Sequence, residues 1–278
     1  MTESGQGSRG PDRAPRAASE GYGHWLLIPL ALLGLALFVL PLLGLLARAP
    51  LAELPELLTR EVVVAALGLS LVVSLAALGL ALLIGFPIAW LLARFEFPGR
   101  RLVRALVTLP MVLPPVVAGV ALLSVFGRRG LLGPLLSSLG IELAFTTAGA
   151  ILAATFVAAP FLIITLEAAL ERVDRRLEDA AATLGATRLR ILWTVTLPAI
   201  RPSLLAGLAL CWARALGEFG ATITFAGNYP GRTQTMPLAV YEAMQSDPDG
   251  ALAISLVLLV VSLGLLFGLR GRLGAADP

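Results

Sequence analysis

From Val62 to Ala93 the chain runs through 32 residues without a charged side chain. As a continuous helix that run measures about 48 Å. The hydrocarbon core of a bilayer is only about 30 Å thick, so the helix either tilts or extends beyond the membrane. Further apolar runs of spanning length cover residues 25–46, about 103–126, 148–169, 195–217 and 251–269, and residues 218–250 between the last two read as a hydrophilic loop. Lipid offers backbone groups no hydrogen-bond partner, so these runs are expected to be helices packed on one another. Only 14% of residues are charged, against about 25% in an ordinary soluble domain. The expected fold class is an all-α membrane protein with six transmembrane helices.

The arginines set the topology. All 21 basic residues are arginine. Fourteen fall in segments expected inside: Arg9, Arg13 and Arg16 of the tail, and those of 94–104, 170–194 and the C-terminus. Five fall outside: Arg48, Arg60, Arg128, Arg129 and Arg232. That bias predicts a multi-pass protein of the cell membrane with both termini cytoplasmic. The net charge of +3 is read as topology, not as nucleic-acid binding. Residues 1–24, rich in Gly, Ser, Pro and Arg, are expected to be a disordered cytoplasmic tail. Ala47-Arg48-Ala49 has the look of a cleavage site, but the preceding run is too long for an ordinary signal-peptide core, so an uncleaved first span is expected.

Several chemistries are excluded. The chain has no lysine, so no phosphate-binding loop of the Walker type can be completed. Cys211 and His24 are single residues of their kinds, which excludes a Cys/His metal site and an internal disulfide. No catalytic residue, cofactor or metal is expected, and uphill transport would draw its energy from a partner or an ion gradient.

Three stretches stand out. The third span carries Pro110, Pro114, Pro115 and Gly119. Prolines remove backbone donors, so this helix should be kinked or locally unwound, and two adjacent prolines favour a path-lining role over a lipid-facing kink. At the end of the fifth span Arg214 and Glu218 lie four residues apart. They are expected to pair, either as a functional site at membrane depth or as a pair that fixes the helix end. An arginine there suits an oxyanion.

The third stretch is Glu178–Pro198. Leu170, Val173, Leu177, Ala181 and Leu184 form one apolar stripe, Gly185 marks a left-handed stop, and Thr187 can cap a second helix from Arg188. Balanced acidic and arginine side chains argue against a helix lying on lipid. A docking surface is expected.

This stretch resembles the cytoplasmic loop of ABC importer permeases, Glu-Ala-Ala, three residues, Gly, nine residues, Ile-x-Leu-Pro. Asp179-Ala180-Ala181, Gly185 and Val195-Thr196-Leu197-Pro198 match it, with Asp for Glu and Val for Ile. Leu113–Gly119, Gly127–Gly133 and Ala213–Tyr241 resemble molybdate permease subunits more finely, while sulfate/thiosulfate permeases share Leu-Gly-Glu-Phe-Gly. The resemblance covers roughly 60–270 and implies a type I ABC importer permease domain over 62–270, with 170–198 as its coupling loop. It further implies a homodimer, two copies of a cytoplasmic ATPase, and an extracytoplasmic binding protein delivering the oxyanion. ATPase-coupling residues would then be Glu178, Asp179, Ala180, Ala181, Gly185, Leu197 and Pro198. Path or gate residues would be Pro114, Pro115, Gly119, Arg214, Glu218, Thr222 and Thr224. Molybdate is the expected cargo, with tungstate or sulfate as alternatives. A stand-alone secondary transporter is the alternative of another class, and it would have no use for a docking loop.

Overall fold

The computed structural model describes residues 24–52 and 54–273. The expected tail therefore lies outside the described residues, save His24 at the start of the first helix. In chain order the helices are α1 (His24–Arg48), α2 (Leu54–Thr59), α3 (Glu61–Arg94), α4 (Arg100–Val112), α5 (Pro115–Phe126), α6 (Gly133–Ser138) and α7 (Thr147–Arg172). There follow α8 (Arg175–Thr183), α9 (Arg188–Ile191), a π-turn (Leu192–Thr196), α10 (Leu197–Leu216), α11 (Gly220–Phe225), α12 (Met236–Ser246) and α13 (Pro248–Leu273). No strand occurs among the described residues. The chain divides into two compact units, residues up to Arg48 and residues from Ala49 onward. The first contributes α1, an apolar helix carrying Pro29 and Pro41.

The second unit is built around α7. Thr146 caps it, its Oγ1 accepting the Gly149 amide at 3.1 Å. Along it Ala150, Ala154 and Ala158, then Leu162, Leu166 and Leu170, are buried at steps of four. Facing them on α3 are Ala77, Ala81, Gly85 and Ala89, also buried. Lipid tails are as apolar as leucine, so small residues that admit close backbones hold such helices together. The α10 helix joins the same core through Gly207, where a Cβ would lie 3.1 Å from Leu162 and 3.2 Å from Thr165.

Among the described residues, four helical stretches are long and apolar enough to cross a membrane: 27–48, 61–94, 147–172 and 188–216. The expected third span is instead two helices, α4 and α5, interrupted at Leu113–Pro114. Pro114 and Pro115 each disfavour the helical region for the residue before them. Leu113 (ψ 134°) and Pro114 (ψ 132°) are accordingly extended. Of the expected kink or local unwinding, it is the unwinding that occurs, as a complete break.

Two further expectations are corrected. The apolar stripe from Leu170 to Leu184 does not lie on one helix. The chain turns at Val173, and Asp174 caps a new helix by accepting the Arg176 amide at 3.0 Å. Leu170 is buried while Leu177 and Leu184 are exposed. Likewise, residues 218–250 are not simply a hydrophilic loop. They contain α11 and α12, and Glu218, Thr222, Phe225 and Thr233–Met236 are buried.

Candidate functional site

Four ion pairs gather at one place from segments remote in sequence. Arg94 pairs with Glu178, Arg100 with Glu171, and Arg104 with Glu167 and Glu171. They tie the end of α3 and the start of α4 to the end of α7 and to α8. Arg60 pairs with Asp247, and Arg128 with Glu142. Apart from the one to Glu167, which lies within an expected span, each of these pairs joins segments that the arginine distribution assigns to the same side. Glu167 is a buried carboxylate near the end of α7 that the sequence reading passed over. Its signal was a carboxylate in step with Glu171 on one helical face.

The loop after α7 has a defined shape. Asp174 starts α8, and Thr187 Oγ1 accepts the Arg190 amide at 3.3 Å to start α9. Between them Gly185 sits at φ +84°. The Gly185 amide donates to the Ala182 carbonyl and the Ala186 amide to that of Ala181. These two bonds close a left-handed helix end that needs a residue without a Cβ penalty. No residue of α8 is buried. Leu184 is 89% exposed, and Leu177, Leu189 and Trp193 are exposed beside it. The loop therefore presents an apolar knuckle on a capped helix pair.

The loop returns through the π-turn. The Leu197 amide reaches back five residues to the Leu192 carbonyl, which widens the helix where Pro198 brings no amide of its own. Thr196 is fully buried there, and its Oγ1 donates to Glu178 Oε1 at 2.7 Å. Asp179 and Ala180 are exposed and Ala181 half-buried. Of the expected coupling residues, Glu178, Leu197 and Pro198 thus belong to the join with α10, and Asp179, Ala180 and Gly185 to the exposed helix pair.

At the other end of α10, a run of twenty residues or about 30 Å, lies the second site. Arg214 Nη1 and Glu218 Oε2 are 2.5 Å apart. Glu218 is 3% exposed, and its Oε1 accepts the Ala221 amide at 2.8 Å. That bond caps α11 just beyond the break at Gly217. The α11 helix then lies against α5. A Cβ on Gly220 would come within 2.6 Å of Pro115 Cβ, and one on Gly119 within 2.5 Å of Thr224 Cβ. Thr224 Oγ1 donates back to the Gly220 carbonyl at 2.8 Å. Thr222 is buried in the same helix. The structure therefore gathers Pro115, Gly119, Glu218, Thr222 and Thr224 at one junction, with Pro114 exposed at its edge.

Polar groups hold the adjoining elements. Ser70 Oγ accepts the Met236 amide at 2.7 Å, and Trp212 Nε1 donates to Ser74 Oγ at 3.0 Å. Both serines interrupt the long apolar run, which was the signal that they bond across helices.

Residues 81–272 match the binding-protein-dependent transport system inner membrane component family. The chain belongs to that family. Among these permeases, the molybdenum transport system permease protein ModB of Mycobacterium tuberculosis is 43% identical over 249 residues, covering 90% of this chain and 94% of that relative. A probable sulfate transport system permease protein cysT of Chlorokybus atmophyticus is 37% identical, covering 84% and 83%. The fold is that of a solved bacterial ABC transporter involved in the import of the acidic polysaccharide alginate. It superposes with a TM-score of 0.71 at 22% identity, over 91% of this chain and 96% of that one. The permease family makes this chain a multi-pass inner-membrane component of a transport system.

Proposed function

We propose that this chain is the membrane-spanning subunit of an ATP-driven importer that carries molybdate delivered by an extracytoplasmic binding protein. The observation that carries this reading is the 43% identity to ModB across nearly the whole of both chains. Arg214 supplies an anion-compatible group at the α10–α11 break. Pro114, Pro115, Gly119, Glu218, Thr222 and Thr224 shape the gate beside it. The α8–α9 loop docks a separate cytoplasmic ATPase through Leu184 and its neighbours, which is the use an exposed apolar knuckle suggests. The working assembly is two copies of this chain with two ATPases, and both termini face the cytoplasm. Six spans result if the broken α4–α5 pair counts as one and α13 as another. Sulfate is the second reading, favoured by the 37% identity to cysT.

The test is reconstitution with the ATPase subunit in proteoliposomes, with binding protein loaded with molybdate, tungstate or sulfate. Molybdate-loaded protein is expected to stimulate hydrolysis and uptake most strongly. Equal stimulation by sulfate would remove the molybdate assignment, and hydrolysis indifferent to the permease would remove the importer reading.

A further inference from the structure

Glu178 is gripped from two sides. Its Oε1 accepts from Arg94 Nη2 at the end of α3 and from Thr196 Oγ1 at the start of α10, each at 2.7 Å. One carboxylate oxygen therefore joins α3, α8 and α10. The Arg94 side chain is only 8% exposed, and its guanidinium carbon lies 5.6 Å from the centre of the Trp90 ring. Its Nε is buried without a partner.

An arginine can meet a carboxylate end-on through one nitrogen, or as a fork through two. Arg104 already spends both Nε and Nη2 on Glu167. Arg94 spends only Nη2. Arg100 also leaves a buried Nε unpaired, but its side chain as a whole is 26% exposed against 8% for Arg94. At Arg94 a buried donor is left idle beside a carboxylate whose bonds converge on one oxygen. An idle buried donor is costly, so a second arrangement that used it would be favoured on that account.

We propose that Arg94 and Glu178 form a two-position latch, end-on in this arrangement and forked when α8 shifts along the end of α3. Glu178 is thereby the positioning residue that carries displacement of α8 into Thr196 and down α10 to the Arg214–Glu218 break. A two-state contact biased at both ends is what communication between distant sites requires. The proposal rests on the reading of α8–α9 as the ATPase dock.

Two variants test it. Arg94→Lys keeps the charge and the end-on bond but cannot form the fork. Thr196→Val removes the hydroxyl at nearly constant volume. The measurement is ATP hydrolysed per molybdate imported, in proteoliposomes holding the full permease, its ATPase and the binding protein, with co-purification of the ATPase recorded for each variant. Both variants are expected to retain the ATPase yet raise the ratio about fivefold or more, the low end of an allosteric coupling. Retained ATPase with an unchanged ratio in Arg94→Lys overturns the latch alone. A wild-type protein that never retains the ATPase overturns the docking reading and the latch with it. If Arg94→Lys fails to insert, Thr196→Val decides: an unchanged ratio there overturns the route into α10.

Discussion

Gly119 and Thr224, on helices more than a hundred residues apart in sequence, touch so closely that a Cβ on the first would lie 2.5 Å from the Cβ of the second and 2.9 Å from the Ala221 carbonyl oxygen. Neither neighbour is the free end of a flexible side chain, so α5 and α11 would have to separate. Gly119→Ala is expected to lower stability by about 1–3 kcal/mol, the usual cost of overpacking. Gly79, in the interior of α3, has open space around it, and Gly79→Ala is expected to be neutral or mildly stabilising. Thermal unfolding of the purified permease in one detergent compares the two. Equal effects would mean that the α5–α11 contact is not tight.

The Arg214–Glu218 pair predicts an asymmetry. Glu218 is almost wholly buried, whereas the Arg214 side chain is 28% exposed and can turn to water. Removing Arg214 strands a buried carboxylate, so Arg214→Ala should cost about 3 kcal/mol or more. Glu218→Gln keeps an acceptor for the Ala221 amide and should cost less. A double-mutant cycle on unfolding midpoints checks the order, and a larger loss in Glu218→Gln contradicts it.

At Gly185 space is not limiting, since nothing lies within 4 Å of an added Cβ. Backbone conformation is. Asparagine tolerates the left-handed region better than other residues, so Gly185→Asn should keep hydrolysis coupled to uptake. Gly185→Val should uncouple them, and Gly185→Pro, which cannot reach φ +84°, should do so most fully. All three should insert in the membrane, as judged by yield in the membrane fraction. Full uptake in Gly185→Pro would count against the coupling role.

Leu184 touches little of its own chain. Leu184→Asp is therefore expected to leave the unfolding midpoint unchanged while reducing co-purification of the ATPase about tenfold or more, as for a buried anchor of an interface. Undiminished co-purification would mean that the ATPase docks elsewhere.

Ser70 accepts a buried amide from Met236. Ser70→Ala leaves that donor without a partner and should cost about 1–3 kcal/mol. An unchanged unfolding midpoint would show that the amide finds another acceptor.

Local chemistry was legible wherever one residue decides the backbone. Gly185 marked the left-handed stop, Thr187 the cap of α9, and Pro114–Pro115 the interruption of the third apolar run. The charge-free run of α3 announced a helix longer than a bilayer is thick. The break between α7 and α8 was missed because the apolar spacing carries straight across Val173. The period alone does not register that Asp174 can cap a new helix. Residues 218–250 read as a loop in sequence because their polar residues are dense. That they fold back as α11 and α12 depends on Glu218 capping α11 and Ser70 receiving the Met236 amide.

By itself, then, the sequence determined what many segments can be: the long apolar stretches as helices, the stops at Gly185 and Pro114–Pro115, and which ends carry positive charge. Only the tertiary structure decided which segments meet. Arg94 finds Glu178 across 84 residues, and Gly119 finds Thr224 across a comparable gap. Helix, cap and turn preferences act within a few residues, whereas those contacts depend on how small residues let helices remote in sequence approach. Steric fit at that distance leaves no periodic trace in the chain.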